Sequence, residues 1–125
     1  MATRMTVPER RKVPRIAERV TIAISEDGQV WQAETKDLSA AGAYCVSNRF
    51  IAPMTKLEFQ FELPDGKKGT RIEGTGVVVR AEPVISSAAQ GRYHIAIYFS
   101  EISERHRAAI SQFVRSRLSS SPPTP

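Results

Sequence analysis

The sequence predicts a mainly β protein: a small six-stranded antiparallel barrel with one α-helix at its C-terminal end. Three observations carry this. Apolar and polar residues alternate with period two at 20–25 and 92–99, and most cleanly in Leu57, Phe59, Phe61 and Leu63 against Glu58, Gln60 and Glu62. Turn residues separate those segments. The period then lengthens after Ser103, where Ile110, Phe113, Val114 and Leu118 fall on one face of a helix. Closing the strands into a barrel hides edges that an open sheet would expose, and the helix stripe suits an open barrel end.

In chain order, Val20, Ile22 and Ile24 alternate with Thr21, Ala23 and Ser25 as a half-buried strand. Asp27-Gly28 follows, and both residues tolerate the positive φ of a tight hairpin. Val30 to Lys36 returns, with Trp31, Ala33 and Thr35 on one face. Asp37–Gly42 is expected to end this strand as a turn, and 43–47 begins a third strand. After the strand at 57–63, Pro64 to Gly69 reads as a turn. A long strand runs from Thr70 to about Ala81, with Gly74 and Gly76 as bulge or bend points. Residues 82–91 read as loop and 92–99 as the last strand. Ser103 is placed to N-cap the helix, with Glu104 near the positive end of its dipole. The domain is bounded at 9–118, between a flexible leader at 1–8 and a disordered tail at 119–125.

The chain has 125 residues and suits one domain with a single core. No apolar run approaches the roughly 20 residues of a membrane span, and the N-terminus has no apolar signal core. These features, with a single cysteine, predict a cytoplasmic protein without membrane insertion. The net charge of +5 is unevenly spread. Residues 1–19 carry +4 and the other residues only +1, which fits a localised anion site better than a nucleic-acid-coating surface.

That site is expected at Arg10-Arg11-Lys12-Val13-Pro14-Arg15. Pro14 lacks an N–H and biases Val13 away from helix. Fully extended, the step from Arg11 to Arg15 spans about 13 Å, too far for both guanidinium groups to share one small anion. Arginines so spaced suit a larger anionic ligand, because guanidinium grips phosphate bidentately, reads a guanine O6/N7 edge and stacks on bases. In Asp37–Gly42, Asp and Ser can simply bond to nearby backbone while Gly accepts positive φ. Alternatively, Asp37 and Ser39 point outward as acceptor and donor, Asp37 taking a guanine N1/N2 edge or orienting an arginine, and Gly42 admits a ligand to the backbone.

Arg11 and Arg15 as RxxxR, a hairpin, then Asp37, Ser39 and Gly42 as DxSxxG make a sequence that resembles the PilZ domain family from roughly Glu9 to Leu118. The resemblance implies a bacterial receptor for the second messenger cyclic di-GMP. It implies that Arg11 and Arg15 contact guanine and phosphate, and that Asp37, Ser39 and Gly42 line the other side. It also implies that Arg10 can stack on a further guanine and favour an intercalated ligand dimer. Ala96 departs from the pattern, since many relatives have Gly there. The implied output is a conformational change relayed to an unidentified effector protein in motility, attachment or exopolysaccharide control.

Other chemistry is poorly supported. Cys45 reads as a small core residue, and His94 and His106 have no zinc-ligand spacing. No base and orienter accompany Ser39, so no enzyme, metal or cofactor is expected. Trp31, Tyr44, Tyr93 and Tyr98 read as core or barrel-surface residues. The rivals are a protein-interaction domain of the same fold that binds no nucleotide, and a nucleic-acid-binding barrel that the near-neutral body argues against.

Overall fold

The computed structural model describes residues 13–64, 69–85 and 91–119. The leader with Arg10 and Arg11, the centre of the turn at 65–68, part of the loop before the last strand and the tail from residue 120 lie outside the described residues.

The elements are β1 (Arg15–Ile16), β2 (Thr21–Glu26), β3 (Gln29–Ser39), β4 (Gly42–Ser47), β5 (Lys56–Leu63), β6 (Thr70–Pro83), β7 (Tyr93–Ile102) and α1 (Glu104–Ser119). The ladder runs β1-β3-β2-β5-β6-β7-β4, and a β3–β4 pairing closes it. All pairings are antiparallel, and β2 to β7 form the six-stranded ring. β3 serves two neighbours because it is long. Its first part pairs with β2, and Glu34 to Leu38 pairs with β4 across a register shift between Thr35 and Asp37. Such a shift bends and twists a strand, as closure requires.

The alternation in the sequence is the burial pattern of the barrel. Along β5, Leu57, Phe59, Phe61 and Leu63 are buried and the residues between them exposed. Phe59 and Phe99 stack with ring centroids 4.4 Å apart, and Phe61 lies 6.0 Å from Phe59. This aromatic layer needs room at the intervening strand. A Cβ on Gly74 would come within 3.1 Å of the Phe59 ring, and one on Gly76 within 2.6 Å of Ile97 Cγ2. β6 also changes register between Thr75 and Gly76, so the expected bulge is present. Asp27 and Gly28 both have positive φ and close the β2–β3 hairpin as expected.

Helix α1 starts where Ser103 accepts the His106 backbone N–H at 3.1 Å, an N-cap bond. Ile110, Phe113 and Val114 enter the barrel core. Leu118, expected on the same face, is instead half exposed. The helix packs on β1, β3 and β6. It therefore covers the barrel end that carries the turn between β3 and β4. Ile51, from the β4–β5 connection, is buried in the same core.

Three boundaries differ from expectation. Asp37, Leu38 and Ser39 belong to β3, so the turn shrinks to Ala40-Ala41. β6 continues through Glu82 and Pro83, which pair with His94 and Tyr93. Arg15 and Ile16 form a short extra strand on Ser39 and Leu38. Each extension comes from a cross-strand pairing partner, which local composition does not reveal.

Candidate functional site

The β1–β3 pairing builds the site. Arg15 lies opposite Ser39, and Ile16 is buried opposite Leu38. With Ile16 facing the core, Arg15 faces outward beside Asp37. Its Nη1 lies 3.7 Å from Asp37 Oδ1, and the side chains are 67% and 27% exposed. An ion pair so open to water adds little stability, about 0–1 kcal/mol. What it does is orient the guanidinium while leaving most of its five N–H donors available.

Asp37 also pairs with Tyr44 in the β3–β4 ladder, and Tyr44 pairs with Ala96 of β7. These half-buried residues lie on the outer barrel surface below the turn. Tyr98, opposite Gly42, is 53% exposed on the same surface. The sequence-predicted residues Arg15, Asp37, Ser39 and Gly42 are thus brought together at one rim. Arg10 and Arg11 precede β1 and lie outside the described residues.

Ser39 and Gly42 shape the turn backbone, Ser39 by the local bonding that its sequence context also allows. Ser39 is buried, and its hydroxyl oxygen accepts the Ala41 and Gly42 N–H groups at 3.1 and 3.2 Å. It shapes the turn from within, as serine does in a Ser/Thr turn. Gly42 does not have a positive φ, and close approach is the reason for glycine there. A Cβ would run into the backbone carbonyl of Ile97 on β7. The turn is further tied down because the Phe99 N–H donates to the Ala41 carbonyl at 2.8 Å.

Three further contributors lie outside the sequence-predicted site residues. Thr35 is fully buried; its hydroxyl donates to the Glu18 carbonyl at 2.6 Å and accepts the Val20 N–H at 2.8 Å. It pins the segment that follows Arg15 to β3. A hydroxyl in the inward stripe Trp31, Ala33, Thr35 was the available sign, since a buried polar group needs partners. Arg107 donates to the Ala40 carbonyl at 3.1 Å, and Arg117 lies 3.5 Å from Glu18. Both contacts span distances in sequence that no local pattern marks.

An open groove of about 660 Å³ crosses the outside of β3 between Glu18-Arg19 and Val46, but none of Arg15, Asp37, Ser39 and Gly42 lines it. Cys45 is buried, and its thiol is pushed up to about 12 by burial and then by the Asp37 carboxylate. It stays a neutral core group at ordinary pH. Among the described residues, no group of three or more His, Cys, Asp or Glu side chains is placed to hold a metal ion. No helix among them is long and apolar enough to cross a membrane.

A closed six-stranded barrel and an end helix, with an outward arginine–carboxylate pair beside a tight turn, define a small β-barrel domain with a polar rim. The chain belongs to the PilZ domain family, whose model matches residues 9–116. Solved structures agree on the fold. The Bacillus subtilis inhibitor of motility MotI/DgrA aligns with a TM-score of 0.78 at 20% identity, over 90% of this chain and 53% of that one. The PilZ domain of Escherichia coli YcgR with c-di-GMP aligns at 0.63 and 13% identity, over 86% and 90%. Borreliella burgdorferi PlzA in complex with c-di-GMP aligns at 0.59 and 8% identity, over 94% and 56%. The chain spans about half the length of MotI/DgrA. No curated protein sequence matches it.

Proposed function

We propose that this chain is a cyclic di-GMP receptor that relays ligand occupancy to a partner protein and catalyses nothing itself. The observation that carries the reading is the outward Arg15 guanidinium held beside Asp37 at the β3–β4 turn. Family membership supports it, as do structural neighbours described as c-di-GMP complexes.

The chemistry is complementary. Cyclic di-GMP presents two phosphates and two guanines, whose O6/N7 edges accept and N1/N2 edges donate hydrogen bonds. Arg15, with Arg11 and Arg10 from the leader, serves the phosphates, the acceptor edges and stacking. Asp37 can exchange its arginine partner for a guanine donor edge. Ser39 and Gly42 act through the turn: one fixes its backbone, and the other lets β4 lie against β7. Closure of the arginine-bearing segment over the ligand costs conformational entropy and gives an ordered, altered surface in return. That surface is the message, delivered to an effector in motility, attachment or exopolysaccharide control.

Isothermal titration tests this, with GTP and cyclic GMP as controls. Saturable heat with cyclic di-GMP alone is expected, and two ligands per chain would assign Arg10 the stacking role. No binding at high micromolar ligand would leave a protein-interaction domain as the reading.

A further inference from the structure

Helix α1 is fastened at two points to the two segments that carry the candidate site. Near its start, Arg107 Nη1 donates to the carbonyl of Ala40, inside the turn that Ser39 and Gly42 shape. Near its end, Arg117 Nε lies 3.5 Å from Glu18, three residues beyond Arg15. Arg117 also donates to the Pro64 carbonyl at 3.3 Å, and its guanidinium lies 4.7 Å from the Phe113 ring centroid. Glu18 is in turn fixed through its own carbonyl by Thr35. Between the two fastenings, Ile110, Phe113 and Val114 are packed in the core.

We infer that Arg107 and Arg117 are positioning residues that couple ligand occupancy at the rim to the seating of helix α1. The inference rests on the receptor reading above and adds the route by which occupancy leaves the site. A ligand that bridges the Arg15 segment and the Ala40-Ala41 turn immobilises both anchors, and so holds the helix more firmly on the barrel end. Linkage makes the effect reciprocal: loosening the helix must weaken the ligand by the same factor. The two fastenings differ in strength. Arg107 is half-buried and bonds a turn carbonyl, whereas the Arg117 pair is 44% exposed on the arginine side and open to screening by salt. The outer helix face, with Arg105, Gln112 and Arg115 exposed, is where altered seating would be read.

The test joins titration with cyclic di-GMP to amide hydrogen exchange of α1, with and without ligand, in the full chain. In the wild type, ligand is expected to slow exchange across α1. In R107A, affinity should fall about five-fold or more, the lower end of typical coupling. The ligand-induced slowing should also disappear. R107K, which keeps a donor for the Ala40 carbonyl, should recover part of both. R117A, at an exposed position, should lose slowing in the last helical turn and serves as the probe if R107A does not fold. A purely structural role would change exchange equally in free and bound protein. Wild-type binding with the same ligand-induced slowing of α1 in R107A, or in R117A where R107A does not fold, would overturn the coupling and leave the receptor standing. Absence of wild-type binding would remove the receptor reading and this inference together.

Discussion

The barrel interior and the rim at the β3–β4 turn are built from opposite materials. Inside, Phe59, Phe61 and Phe99 stack over glycine-bearing β6, and nearly every neighbour is apolar and fully buried. At the rim, a handful of hydrogen bonds and ion pairs open to solvent hold the geometry. Dispersion and burial stabilise the first, and they act wherever shape permits. The second contributes little net energy but places a guanidinium, a carboxylate and a tight turn side by side. A domain made this way can alter its rim without endangering its core. Stability and recognition should therefore respond to different substitutions.

The sharpest break in the comparison is Phe59→Ala. It removes the ring that lies against both other aromatics. The expected cost is about 3–5 kcal/mol of unfolding free energy, read from denaturant titration. A loss below about 1 kcal/mol would show that the aromatic layer is not the centre of stability.

Gly42→Ala comes next and crosses the two regions. The added methyl meets the Ile97 carbonyl, so β4 must separate from β7 at the very place where the turn ends. Overpacking of this kind costs about 1–3 kcal/mol. Because the displaced strand also carries the turn, cyclic di-GMP affinity should fall in the same variant. Unchanged stability would mean that the β4–β7 contact yields more easily than its backbone geometry allows.

The two regions were also unequally legible in the sequence. The core could be read residue by residue, because alternation is a direct consequence of strand geometry: Ile22, Ile24, Leu57, Phe59, Phe61, Ile95, Ile97 and Phe99 are all buried. The hairpin at Asp27-Gly28 and the cap at Ser103 were legible for the same reason, being local. At the rim, residue types pointed to the right place but not to each role. Ser39 reads either as a turn-bonding hydroxyl or as an outward donor, and its hydroxyl is found bonded to the turn backbone. Gly42 reads as a positive-φ glycine until Ile97, 55 positions later, is seen to crowd it. Leu118 fits the helical stripe yet is half exposed. In each case the missing information is a tertiary neighbour, which periodicity cannot supply.

Arg15→Ala gives the smallest expected effect on the fold and the most informative one on function. The side chain is two-thirds exposed, and its ion pair with Asp37 is open to water. Unfolding free energy should stay within about 0.5 kcal/mol of wild type. β1 pairs with β3 through backbone groups and buries Ile16 rather than the arginine, so the strand should persist. Affinity for cyclic di-GMP should nevertheless fall by about 1–3 kcal/mol, the scale of a charged bidentate contact. Paired denaturant and ligand titrations on the one variant separate the two quantities. A large loss of stability would make Arg15 a structural residue, and unchanged affinity would place the ligand away from this rim. Loss of affinity at constant stability would give the outward guanidinium a recognition role that the interior does not share.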